Sequence, residues 1–188
     1  MNHLLSAFER NPIIAAAKDE EQLQRALESD CEIIFLLCGT ICNIAGYVQA
    51  VHDAGKLAFV HLDLVHGLSG KDVAVDFVKF QVRADGVIST KPTLLRHAKH
   101  LGLITVLRIF LVDSMSLANL DKQLEASGAA VVEVMPGLMP KVIRQVCHQV
   151  RVPVITGGLI GEKEDVFAAL SAGAMCVSTT KEELWRDQ

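Results

Sequence analysis

The fold is decided by residues 152–179: Val152-Pro153-Val154-Ile155-Thr156, then Gly157-Gly158-Leu159-Ile160-Gly161, then Glu162 to Leu170, and after Gly173 the run Ala174-Met175-Cys176-Val177-Ser178-Thr179. The two short aliphatic runs read as buried strands, since a strand covered on both faces shows no polar alternation. The stretch between them carries its apolar residues at helical spacing, and the glycine before the second run closes the helix. Strand, helix, strand is a parallel pair joined by a helical crossover.

The same unit recurs along the whole chain. Apolar runs lie at Pro12–Ala16, Glu32–Cys38, Lys56–Leu64, Gly86–Ser89, Leu103–Val112, Ala129–Met135, Val152–Thr156 and Ala174–Thr179. Amphipathic stretches such as Asp19–Glu28, Lys71–Val82, Pro92–His100 and Leu117–Ala126 separate them, and Gly55, Gly102, Gly128 and Gly173 each precede a strand. Eight strands alternating with helices close a (β/α)8 TIM barrel, here one domain over residues 1–188; a doubly wound open sheet is the runner-up. The length is below the roughly 200 residues usual for the barrel, so loops are tight and the last helix, from Glu182 to the terminus, is truncated.

Composition excludes several classes. At 51% hydrophobic and 21% charged residues the chain is globular, and with 5% aromatics its core is aliphatic. No apolar run reaches the roughly 20 residues of a membrane span, and Met1 to Pro12 lacks the pattern of a signal peptide, so the expected location is cytoplasmic. The five cysteines, Cys31, Cys38, Cys42, Cys147 and Cys176, are odd in number and show no CxxC spacing. They read as small hydrophobes, with Cys38 or Cys42 the only candidates for a reactive thiol.

Period-two alternation places polar residues on the barrel's inner face near its C-terminal rim. The third strand groups Phe59, His61 and Asp63; the fifth Val106, Arg108 and Phe110; the sixth Val131, Glu133 and Met135. Ser89, Thr156 and Ser178 come from the fourth, seventh and eighth. Active sites of such barrels sit there, whereas the bland reading is an internal salt-bridge plug of Arg108, Glu133 and Asp63. The glycines at 157 and 158 and the hydroxyls of Ser178 and Thr179 form an expected phosphate cradle, since glycine lets backbone N–H groups approach an anion at a helix start. A tight turn and a helix cap would explain the same residues. Lys91 adds a cation at the rim, conceivable as a Schiff-base lysine but more simply phosphate-facing or solvated. His61 and Asp63 lack a third metal ligand, and neither a P-loop nor a dinucleotide fingerprint occurs, so no metal, cofactor or catalytic residue is assigned.

The net charge of −4 does not point to nucleic acid, yet the charges are segregated. Gly86–Val112 and Val134–Gly161 contain no acidic residue. Arg96, Lys99 and His100 share one helix face, and Lys141, Arg144 and His148 another, by the i, i+3, i+4 rule. Both read either as solvated faces or as RNA phosphate contacts, and a homo-oligomer would bring both into one groove.

Together, His61-Leu62-Asp63-Leu64, Gly86-Val87-Ile88-Ser89-Thr90, Arg108-Ile109-Phe110, Val132-Glu133-Val134-Met135-Pro136-Gly137, Gly157-Gly158-Leu159-Ile160, Glu164-Asp165-Val166, Ala172-Gly173-Ala174 and Leu184-Trp185 resemble the glycerol uptake operon antiterminator family. The resemblance runs in order from the first strand to the last residues. It implies a glycerol-3-phosphate-responsive regulator that binds the leader mRNA of glycerol-utilisation genes. It also implies that His61, Asp63, Arg108 and Glu133 surround the glycerol part, and Gly157, Gly158, Ser178 and Thr179 the phosphate. Thr156 stands where the family more often has alanine and Met135 where leucine is usual, so Thr156 would add a hydrogen bond to the ligand. The alternative is a barrel enzyme, an isomerase, aldolase or phosphodiesterase, acting on a small phosphorylated substrate with Glu133 or His61 as acid–base group.

Overall fold

The computed structural model describes residues 2–186. Eight parallel strands close a barrel in sequence order: β1 Ile13–Ala17, β2 Ile33–Leu36, β3 Leu57–His61, β4 Gly86–Ser89, β5 Ile104–Phe110, β6 Val131–Met135, β7 Val154–Gly157 and β8 Cys176–Thr179, with β8 pairing back to β1. The helices are α1 Asn2–Arg10, α2 Glu20–Leu27, α3 Ile44–Asp53, α4 Asp72–Phe77, α5 Pro92–His100, α6 Ser114–Ala118, α7 Leu120–Ser127, α8 Pro140–Gln149 and α9 Lys163–Ser171. The chain is therefore a (β/α)8 barrel, each strand overlapping its expected run, with β1 and β7 each extending one residue past it, to Ala17 and Gly157. No helix among the described residues is long and apolar enough to cross a membrane.

Local chemistry accounts for departures from the expected helices. The stretch Leu117–Ala126 is split at Asn119 into α6 and α7, because Asp113 and Ser116 form a capping box that starts a helix early. The stretch Lys71–Val82 ends in a wider π turn over Val78–Val82. After β8 there is only a 3-10 turn, Glu182–Leu184; the expected helix from Glu182 is not formed there, and Asp187 and Gln188 lie outside the described residues, as does Met1. Trp185 takes over the covering role, buried and donating from Nε1 to the Thr179 carbonyl at 3.0 Å.

The core has two layers, as the alternation of strand side chains requires. Val60, Val87, Leu107, Val132, Val154 and Val177 face the helices, whereas Ile14, Phe35, Phe59, Ile88, Val106, Val131, Ile155 and Cys176 fill the barrel. Leu4, Ala7 and Phe8 of α1 join this inner cluster. That helix closes one end of the barrel and leaves the other as the open mouth. Its i, i+3, i+4 apolar spacing, Leu4, Ala7 and Phe8, is visible in the sequence.

Candidate functional site

The mouth holds a pocket of about 90 Å³ lined by Ala16, Leu37, Arg108, Met135, Gly158, Leu159, Ile160, Ser178, Thr179 and Thr180. Arg108 and Glu133 face each other in the β5–β6 register. The Arg108 Nε donates to Glu133 Oε2 at 2.6 Å, and Ser178 Oγ donates to Oε1 at 2.5 Å. Glu133 is fully buried, so each carboxylate oxygen has its donor without water. Among the described residues Arg108 bonds only through Nε, which leaves its terminal nitrogens to the pocket it lines.

The turns after β7 and β8 form the rest of the pocket wall. Among the described residues, the N–H groups of Gly158, Leu159, Ile160 and Thr180 have no hydrogen-bond partner, and all four residues line the pocket. Gly158 and Leu159 are both left-handed, with φ of 75° and 64°. For a leucine that conformation is uncommon and costs on the order of 1 kcal/mol or more, a strain typical of ligand-binding turns. A β-carbon at Gly158 would meet only Met135 Cε closely, at 2.6 Å, a flexible end that can move aside, so it is the left-handed backbone that favours glycine there. Of the two glycines expected in the cradle, Gly158 lines the pocket and Gly157 does not; Leu159, Ile160 and Thr180 bring backbone N–H groups to its wall, which side-chain identity does not disclose.

Several residues expected in the ligand site stand elsewhere. Thr156 faces the helix layer, not the interior, because its neighbour Ile155 points inward; its hydroxyl donates to the Val134 carbonyl at 3.2 Å. Thr179 lines the pocket but is likewise out of phase with Ser178, and its hydroxyl is taken up by the Ile160 carbonyl and the Lys181 N–H. Ser89 neighbours inward-facing Ile88 and donates instead to Asp63. Strand β3 stops at His61, so Asp63 sits in the following turn, where alternation no longer applies. There it accepts from Ser89 Oγ and the Thr90 N–H, both at 2.9 Å, and pairs with Lys91 Nζ at 3.1 Å. Burial disfavours its charge, but the Thr90, Ser89 and Lys91 hydrogen bonds outweigh that and hold its pKa below the usual value. Asp63 and Lys91 thus tie the start of α5 to β3, and the plug of Arg108 with Glu133 forms without Asp63.

His61 remains on the inner face, 2% exposed, and Nδ1 has no hydrogen-bond partner among the described residues. Burial first, then the Arg108 charge, pushes its pKa down to about 4, so the ring is neutral at physiological pH. Cys38 moves the opposite way from an activated nucleophile: burial, then Asp19 and Glu20, raises its pKa. No group of three or more potential metal ligands occurs among the described residues. Arg96, Lys99 and His100 are exposed on α5, as are Lys141, Arg144 and His148 on α8. The two faces are not adjacent: α7 packs on α5, and Gln149 of α8 bonds Asp121 of α7. A larger cleft of about 340 Å³ lies on the flank between α9 and the C-terminal turn, but its walls are mostly apolar and its polar residues are surface cations. Converging donors make the smaller pocket the candidate site.

Residues 13–185 match the family model described as glycerol-3-phosphate responsive antiterminator. The protein YgcP of Escherichia coli K12 is 43% identical over 182 residues, 97% of this chain and 95% of that one. The glycerol uptake operon antiterminator regulatory protein of Listeria monocytogenes superposes with a TM-score of 0.88 at 29% identity, covering 92% of this chain and 94% of that one. A glycerol uptake operon antiterminator-related protein of Thermotoga maritima gives 0.82 at 35% identity over 93% and 98%.

Proposed function

The chain belongs to the family of glycerol-3-phosphate responsive antiterminators, and on that premise we propose that it is a cytoplasmic regulator binding glycerol-3-phosphate at the barrel mouth and, under that ligand's control, the leader RNA of glycerol-utilisation genes. The ligand half is carried by one observation: among the described residues, four whose N–H groups have no hydrogen-bond partner line one small pocket together with Arg108. Such a donor set suits a phosphate, each charge-assisted bond contributing roughly 1.5–3 kcal/mol in a sheltered site. Glu133 then acts on the ligand through Arg108, fixing its guanidinium, instead of accepting from a ligand hydroxyl. Calorimetry is expected to show glycerol-3-phosphate binding and glycerol not; equal affinities overturn the cradle.

The RNA half rests on the family and on the basic faces of α5 and α8. In a mobility-shift assay, glycerol-3-phosphate is expected to change retention of a glycerol-operon leader RNA. Retention identical with and without the ligand overturns ligand control. A barrel enzyme is the second reading, favoured by the buried, neutral His61 on the inner face, close enough to Arg108 and Glu133 for their charges to act on it. Turnover of glycerol-3-phosphate or a related ester by the pure wild type, lost in Glu133→Gln, would replace the regulator with that enzyme.

A further inference from the structure

Of the eleven large hydrophobic residues exposed on the described surface, five stand on three neighbouring connections at the mouth: Phe110 at the end of β5, Val112 after it and Met115 in α6, Leu138 after β6 and Leu159 after β7. The loops are continuous with one another. Leu111 N–H bonds the Met135 carbonyl at 2.8 Å, and Gly137 N–H the Gly158 carbonyl at 3.0 Å. At 80% and 70% exposure, Val112 and Met115 support nothing inside the barrel. We propose that this apolar arc is the seat of a second copy of this chain.

Two arguments select that occupant. The first is area: five such side chains expose on the order of 600 Å² of mainly apolar surface, the upper end for a lone monomer's largest patch. A polar rim around the arc has only to add the remainder of the roughly 800 Å² per partner of a standard interface. The second is charge. Asp113, Lys141, Glu162 and Glu164, all exposed and close in sequence to Val112, Leu138 and Leu159, give the arc a rim with both signs present. A rim of mixed sign complements itself across a two-fold axis, where the same patch meets its own copy. The same three carboxylates repel an RNA backbone, so this face fits a protein better than a nucleic acid. Leu159 and Met135 also line the pocket, so the partner covers the mouth over which a ligand enters.

The test is sedimentation equilibrium from about 1 to about 100 µM chain, a range spanning micromolar association. The wild type is expected at twice the 20.4 kDa of one chain. The double variant Val112→Glu/Met115→Glu is expected to raise the dimer dissociation constant at least about 100-fold, because four carboxylates then face each other across the axis. Phe80→Glu, an exposed position on the π turn after α4, is expected to leave the dimer intact. Circular dichroism confirms that each variant folds. A wild type of single-chain mass throughout, a double variant that stays dimeric, or a Phe80→Glu variant that dissociates equally, each overturns the proposal. A monomeric wild type whose RNA retention is lost in the double variant would assign the arc to RNA instead. Glycerol-3-phosphate calorimetry on the same samples reports separately on the ligand reading, so either idea fails without the other.

Discussion

Ser178 on β8 donates its hydroxyl to Glu133 on β6 at 2.5 Å, reaching across the whole of β7 to do so. The bond is possible because Gly157, paired with Ser178 in the β7–β8 register, puts no side chain between them. A β-carbon there would collide with Ser178 Oγ and stand 3.0 Å from Glu133 Oε1. Gly157 is thus required by a side-chain contact passing over it as well as by the turn that follows. Gly157→Ala is expected to cost about 1–3 kcal/mol in urea denaturation, the range for forcing volume into a packed interior. It should also weaken glycerol-3-phosphate binding, because Glu133 and hence Arg108 shift. Gly161→Ala, whose β-carbon would meet nothing closer than 3.9 Å, should leave both nearly unchanged. Equal effects at the two positions would show that the contact over Gly157 is unimportant.

The Arg108–Glu133 pair should behave as a buried ion pair. Removing one partner strands the other charge in a site that is 7% and 0% exposed, so Glu133→Gln or Arg108→Leu is expected to cost about 3 kcal/mol of stability. The double variant should cost less than the two singles combined. Ligand affinity separates them: Arg108→Leu removes a phosphate donor and should lose at least about 10-fold. Additive stabilities would indicate that the two groups do not depend on each other.

The barrel was legible because its strands are apolar on both faces and punctuated by helix-ending glycines, and Arg108 and Glu133 because alternation holds within a strand. The failures are failures of phase. Asp63 lies beyond the end of β3, where period two has no meaning. Thr156, Ser89 and Thr179 are polar residues at strand ends whose inward neighbours are Ile155, Ile88 and Ser178. Residue type suggested the interior and parity placed them outside it. The partnerless N–H groups of Leu159, Ile160 and Thr180 leave no trace in side-chain chemistry.

His61 gives a pH prediction with a definite sign. Its folded pKa of about 4 lies below the ordinary 6.5, so between those values the unfolded chain binds a proton that the folded chain does not. Stability then rises with pH through that window and is lost as pH falls. At pH 5 the deficit relative to pH 7 is about 2 kcal/mol from this residue alone. Urea titrations at the two pH values should show that difference for the wild type and a reduced one for His61→Gln. An unchanged pH slope in the variant would mean that His61 titrates normally in the folded protein.

The basic helix faces allow a separate test of the RNA contact. Charge reversal at Arg96 and Lys99, or at Lys141 and Arg144, should weaken leader-RNA retention and leave glycerol-3-phosphate affinity nearly unchanged, since these exposed side chains do not line the pocket. If they contact phosphates, each lost contact flattens the dependence of log affinity on log salt by a little under about one unit. Geometry makes the two pairs unequal. Lys99 lies beside Gly128 where α7 ends and β6 follows, whereas Lys141 stands in the first turn of α8, just after the β6 loop, and α7 with Asp121 and Glu125 exposed runs between them. A single chain therefore presents two separate basic strips, and one double variant should carry most of the loss. Comparable losses from both would require an assembly that brings the strips of two copies onto one RNA. Unchanged affinity and salt slope in both variants would assign the faces to solvent and move the RNA contact to the loops.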